Sequence, residues 1–190
     1  YDGGTTRTTF DLTATPLPAN PATLTLYPAP ANWSALRLAA FGFGCTGSSY
    51  RAGTALEDEL TASAARECAL PVITAAQAIR LALATLGARR IALVSPYPTD
   101  LAESGYRYWE SAGLEITARL RVDTEIRDTH RIYEMTSDDA LAALRSIDLA
   151  GADCVVASGT GMPTVRALRS FRNECPLPVL AARSPSDCFD

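Results

Sequence analysis

An α/β fold of two pseudo-symmetric parallel-sheet lobes, in three layers of helix, sheet and helix, is predicted by three features of this chain. Apolar runs of strand length alternate with stretches of helical periodicity, which parallel strands with covering helices satisfy. The chain also repeats itself. Phe43-Gly-Cys-Thr-Gly47 leads through a helical stretch to Glu67-Cys-Ala-Leu-Pro-Val-Ile73, and Ala157-Ser-Gly-Thr-Gly161 leads to Glu174-Cys-Pro-Leu-Pro-Val-Leu180. Each copy reads as an apolar strand running into a small-residue turn at the mouth of a helix. Finally, 190 residues with 47% hydrophobic content can bury a core for one domain or two small ones.

In chain order, Thr8 to Thr13 is the first expected strand and Leu38 to Phe43 the second, ending at the first turn. Ala55 to Ala65 has helical periodicity, Val72-Ile73 is a short strand, and Thr74 to Leu86 is a helix that Gly87 terminates, glycine being the easiest residue to place at a left-handed cap. Arg90 to Ser95 is a buried strand, after which Thr99 or Asp100 caps a helix running through Trp109. Ile116 to Val122 is the next strand and Ser137-Asp-Asp-Ala opens a helix to Leu149. Cys154 to Ala157 precedes the glycine turn, Met162 to Asn173 is the helix after it, and Val179 to Ala182 closes the series. Residues 1–73 with 183–190 then form the first lobe and residues 74–182 the second. The site is expected between the carboxyl ends of their strands.

Matching Thr15-Pro-Leu-Pro18 to Ser95-Pro-Tyr-Pro98 audits the repeat. Gly159 lies 63 positions after Pro96, whereas Cys45 lies only 29 after Pro16, so the first half is short by about 34 residues, the size of a helix plus a strand. The helix after Val72-Ile73 likewise has no counterpart after Leu180. A trimmed protein, or segments absent from this sequence, accounts for both, and the Pro- and Ala-rich stretch from Asn20 to Pro30 is where a break belongs.

Composition removes several function classes. All 17 basic residues are arginine, which excludes a Schiff-base, pyridoxal-phosphate or Walker A lysine. A net charge of −4 with scattered arginines leaves no footprint for nucleic acid. No apolar run reaches the ~20 residues of a membrane helix and no signal peptide is visible, so a cytoplasmic location is expected. Five cysteines (45, 68, 154, 175 and 188) form an odd set, without a CxxC pair or ligand spacing to His130, so neither a disulfide framework nor a metal site is expected.

The two turns differ at one slot, where the first carries Cys45 and the second Gly159. Free backbone N–H groups at such turns can hold an anion, and a thiol at the start of a helix can serve as nucleophile or proton donor. Cys45 is therefore the candidate catalytic residue. Thr46, Gly47 and Ser48 in the first turn, and Gly159, Thr160 and Gly161 in the second, would offer hydroxyl and backbone groups to carboxylate oxygens. Cys68 and Cys175, each ahead of a Leu-Pro pair, and Cys154 in an apolar strand are expected to be structural; Cys188 reaches the site only if its loop does. His130, in Arg127-Asp-Thr-His-Arg131, is expected to be a solvated loop residue, and Asp138-Asp139 a helix-start pair favoured by the macrodipole.

Three segments together, Gly44-Cys-Thr-Gly-Ser-Ser-Tyr-Arg-Ala-Gly53, Leu86-Gly-Ala-Arg-Arg-Ile-Ala-Leu-Val-Ser-Pro-Tyr97 and Gly151-Ala-Asp-Cys-Val-Val-Ala-Ser-Gly-Thr-Gly-Met-Pro-Thr164, resemble the aspartate/glutamate racemase superfamily. Within it the chain is most similar to the arylmalonate decarboxylase and maleate cis-trans isomerase branch, over roughly residues 36 to 183, with a looser echo in Leu26-Tyr-Pro28. The resemblance implies cofactor-free chemistry on a small dicarboxylate, and adds the phenol of Tyr97 to the carboxylate site. In the racemases and the isomerase each turn carries a cysteine; in the decarboxylase only the second does. Here the pattern is inverted, and one thiol does not suit two-base racemisation.

The expected function is cofactor-independent decarboxylation of an aryl- or alkylmalonate, with Cys45 protonating the enediolate that remains when CO2 departs. Maleate-type cis-trans isomerisation, or racemase-type chemistry, through Cys45 is the alternative, and a non-catalytic small-carboxylate binding protein the third reading. No cofactor, metal, nucleic acid or membrane is expected as partner, and a homo-oligomer is left open. By the same repeat, a cysteine placed at position 159 is expected to supply the second face.

Overall fold

The computed structural model describes residues 40–123 and 125–182. Its elements run β1 (Phe41–Phe43), α1 (Thr46–Cys68), β2 (Val72–Thr74), α2 (Ala75–Leu86), β3 (Arg90–Ser95), α3 (Thr99–Ser111), β4 (Glu115–Arg121), a 3-10 helix (Thr129–Glu134), α4 (Ser137–Ser146), β5 (Cys154–Ala157), α5 (Val165–Phe171) and β6 (Val179–Ala181). All strand pairs are parallel. β1 lies beside β2, with Phe41 opposite Val72 and Phe43 opposite Thr74, and the second sheet has the order β4-β3-β5-β6. The fold is three-layer α/β, as the alternation of strand and helix predicts.

Burial explains which strands are central. Every residue of β5, and every residue of β3 after Arg90, is buried, as strands covered on both faces must be. Around them Leu83, Trp109, Leu144 and Met162 are fully enclosed. Two helices start at matching devices. The Thr74 hydroxyl accepts from the Gln77 N–H while the Gln77 side chain accepts from the Thr74 N–H, and Thr136 and Asp139 do the same ahead of α4. Asp138 and Asp139 are thus helix-start residues, as expected. Gly87 ends α2 at φ 68.

The helix expected from Ala55 starts nine residues earlier, at Thr46, and bends at Gly53, whose φ of 75 and ψ of 166 are not helical. Residues 46–52 and 54–68 are therefore two helical pieces. Beyond the bend, the buried Glu57 carboxylate accepts from the hydroxyls of Thr74 and Tyr108 and lies 3.6 Å from Arg80. That pins the second piece to β2, α2 and α3 and leaves the buried Glu57 carboxylate paired. The remaining differences are local. Pro98 occupies the position before α3, so neither Thr99 nor Asp100 is its cap. α4 stops at Ser146, because Ile147 is extended. α5 begins at Val165 rather than Met162, since a residue preceding proline is pushed out of helical backbone. Thr8 to Thr13, Tyr27 and Cys188 lie outside the described residues. Among the described residues no helix is long and apolar enough to cross a membrane.

Candidate active site

β1 delivers the chain to Cys45, the residue before α1, in extended backbone (φ −144, ψ 103) and half-buried. The Ser48 hydroxyl donates to the Cys45 sulfur at 3.3 Å, and the Ser49 hydroxyl donates to the Cys45 carbonyl at 3.4 Å. Ser48 thus points at the thiol, whereas the sequence suggested a donor to substrate. The next residue, Thr46, is fully buried, with its hydroxyl 2.7 Å from the phenol of Tyr97. Gly47 lies under the same ring, where a Cβ would come within 3.5 Å of the Tyr97 oxygen and 3.3 Å of Leu101. Burial pushes the Tyr97 phenol above its ordinary value, against the opposing pull of its bonds to Thr46 and the Gly47 backbone. It is therefore a neutral O–H group at physiological pH.

β5 delivers the chain to the second turn. The buried Ser158 donates its N–H to the Val94 carbonyl at 2.9 Å, and the Met162 N–H closes the turn on the Gly159 carbonyl at 3.2 Å. Gly159 has φ +94, and a Cβ there would lie 2.2 Å from Cγ of Pro96. Thr160 is buried, and Gly161 faces Ile132 and Tyr133 of the 3-10 helix. Consecutive residues at the end of β3 therefore touch both turns, Pro96 packing on Gly159 and Tyr97 bonding to Thr46. A second bridge was not visible in sequence. The Tyr50 hydroxyl lies 2.7 Å from the Ser158 hydroxyl and accepts from the Trp109 indole N–H at 2.9 Å. Only the spacing of Thr46 and Tyr50, one helical turn apart on one face, hinted at it.

Two expectations are corrected here. The second turn does not open a helix, because α5 starts four residues beyond Gly161. Position 159 cannot take a cysteine as the turn stands, since both the positive φ and the Pro96 ring exclude a β-carbon. Of the remaining cysteines, Cys154 is fully buried, Cys175 half-buried and Cys68 exposed, so Cys68 is no part of the core. His130 is exposed on the 3-10 helix, consistent with a solvated residue. A groove of about 960 Å³ beside β2 and α2, lined by Val72, Ile73, Arg80 and Leu83 among others, contains none of the site residues.

Over residues 32–186 the sequence matches the family described as arylmalonate decarboxylase. The chain belongs to that family. A maleate isomerase from Geobacillus stearothermophilus is 32% identical over 115 residues, covering 60% of this chain and 45% of the relative. A variant of Nocardia farcinica maleate cis-trans isomerase, with a cysteine replaced by serine and a covalently bound succinylcysteine intermediate, aligns with a TM-score of 0.70 at 27% identity, covering 76% of this chain and 60% of that one. A liganded double variant of arylmalonate decarboxylase, with one glycine changed to cysteine and one cysteine to serine, aligns with a TM-score of 0.60 at 26% identity, covering 80% and 64%. This member of the arylmalonate decarboxylase family spans about half the length of the curated maleate isomerases it matches, 45% and 56% for two of them.

Proposed function

We propose that this family member acts on a small dicarboxylate without a cofactor, through Cys45 as a nucleophile, in the manner of a cis-trans isomerase. The observation that carries the reading is the Ser48 hydroxyl donating to the Cys45 sulfur, beside the paired hydroxyls of Thr46 and Tyr97. A hydroxyl bonded to the sulfur fixes where the thiol points, and a thiolate formed there is the reactive species. The thiolate would add to one alkene carbon of a maleate-like substrate, forming a C–S bond while the π pair moves through the neighbouring carbon into its carboxylate. The carbon–carbon bond, now single, rotates; the pair then returns, the C–S bond breaks and the trans product leaves. No net proton is needed, so one thiol suffices. Tyr97, Thr46 and the turn N–H groups would hold the enediolate oxygens, whose charge is greater than in the bound substrate.

The maleate isomerase relatives support this reading, as does the succinylcysteine that one of them carries after losing another cysteine. Decarboxylation is the second reading. There the bond to CO2 breaks, the pair enters the remaining carboxylate, and the Cys45 thiol protonates the carbon. The family match favours it, together with the decarboxylase variant that gains one cysteine and loses another. Incubating purified protein with maleate, aryl- and alkylmalonates and aspartate, with products separated by liquid chromatography, distinguishes the two. Cys45→Ala should lower turnover at least ~10³-fold and leave stability within about 1 kcal/mol, because the side chain is half-buried and its side-chain bond among the described residues is to Ser48. A Cys45→Ala variant that turns over as fast as the wild type overturns both readings.

A further inference from the structure

We infer that Tyr50 is the positioning residue that mounts the Cys45 turn on α3 and the four-stranded sheet, an inference that rests on the reading of Cys45 above. The helical piece that follows Cys45, residues 46–52, is cut from the rest of α1 by the backbone of Gly53. Among the described residues no neighbour lies within 4 Å of a Cβ placed at Gly53, and its positive φ is what calls for glycine. The Glu57 anchor holds the piece beyond the bend and does not rigidly carry the piece before it. What holds the first piece is Tyr50. Its ring is 4% exposed and meets Tyr97 and Trp109 edge-on, at 5.8 and 6.0 Å between centroids. The ring lies in a slot on α3 that exists because residue 105 is glycine: a Cβ there would come 2.7 Å from Tyr50 Cε2.

The hydroxyl is fixed as firmly as the ring. It accepts from the Trp109 N–H, so its own proton is free to go to Ser158, the residue before Gly159 at the end of β5. One bond therefore joins the helical turn after the reacting sulfur to the strand end that carries the opposite turn. The other tie, from Thr46 to Tyr97, uses groups that would themselves hold substrate. Tyr50 is not itself placed to hold substrate; it packs on Tyr97 and sets the distance between the sulfur and the second turn. A misplacement of about 1 Å can lower a rate by ~10²-fold.

The test is a cycle of Tyr50→Phe, Ser158→Ala and the double variant, assayed on whichever substrate the wild type turns over. Each single change should lower kcat about tenfold with KM within about threefold, and the double variant should fall no further than Tyr50→Phe alone, because Tyr50→Phe already removes the Ser158 bond together with the one from Trp109. A purely structural role would lower the melting temperature and leave kcat of the folded protein unchanged. Unchanged kcat, or losses that multiply, overturns the inference. The rate of iodoacetamide labelling at Cys45, read on its peptide by mass spectrometry, should change by at least threefold in the same non-additive pattern. If the wild type turns over no dicarboxylate, the reading of Cys45 as a catalyst fails, and this labelling decides for Tyr50 alone, equal rates in all four proteins overturning it. Should Ser158→Ala not fold, Tyr50→Phe carries the comparison, since it keeps the ring in its slot.

Discussion

The two copies of the repeat put a small-residue turn after a parallel strand and then diverge in what presents itself to a ligand. In the first turn the side chains act: a sulfur, a hydroxyl aimed at it, and a buried threonine bonded to a tyrosine. In the second the backbone dominates, with Gly159 pressed on Pro96 and the following helix delayed by Pro163. A repeat thus fixes where the backbone goes, while single residues decide whether a turn is reactive or serves as a wall and cradle. The missing second thiol is more than one substitution, because the surrounding packing has closed over its place.

The largest expected effect tests that closure. Gly159→Ala should cost about 3 kcal/mol of stability in urea unfolding, since the β-carbon meets both a forbidden φ and the Pro96 ring. Adding Pro96→Ala should return part of the loss, because that ring supplies the closest contacts. A stable single variant, or a double variant no better than the single, breaks the contrast between the turns.

A somewhat smaller effect should separate side chain from backbone. Tyr97→Phe removes the O–H paired with Thr46 and should lower kcat/KM by ~10- to 100-fold. Thr160→Ala leaves the second-turn N–H groups in place and should cost less than about threefold. Steady-state kinetics on the same substrate reads both. The reverse order would mean that the second turn works through its side chains after all.

Much of this contrast was legible in the sequence, because it rests on adjacent residues. The strand before each turn, the exchange of Cys45 for Gly159 and the nearness of Tyr97 follow from local runs and a family resemblance. What escaped is either conformational or long-range. Gly53 and the helical piece before it lie ahead of the helix expected from Ala55, and periodicity carries no information about one φ angle. The Tyr50–Ser158 bond joins residues 108 positions apart, which no local pattern encodes. Cys68 misled for another reason: its match to Cys175 reports a shared strand entry, whereas burial depends on what packs there. It ends α1 just before Ala69, at the exposed left-handed turn of the chain, while Cys175 is half-buried.

The smallest predicted effects concern the cysteines outside the site, and they too divide the two halves. Cys154, fully buried in β5, should lose about 1 to 2 kcal/mol on change to alanine, and exposed Cys68 less than about 0.5. The contribution of Cys154 should also depend on pH. Burial pushes the Cys154 thiol up to about 11, from an ordinary value of 9.0. Between those values the unfolded chain has released its proton and the folded chain has not. The contribution of this thiol is therefore complete below pH ~9 and declines as pH rises toward ~11. The stability gap between wild type and Cys154→Ala should accordingly narrow between pH 7.5 and 10. The buried phenols of Tyr50 and Tyr97, raised further still, weaken both proteins alike in this range and cancel in the difference. Urea midpoints at the two pH values decide it, and a Cys154 gap that holds constant or widens would mean the thiol is not enclosed as the central strand requires.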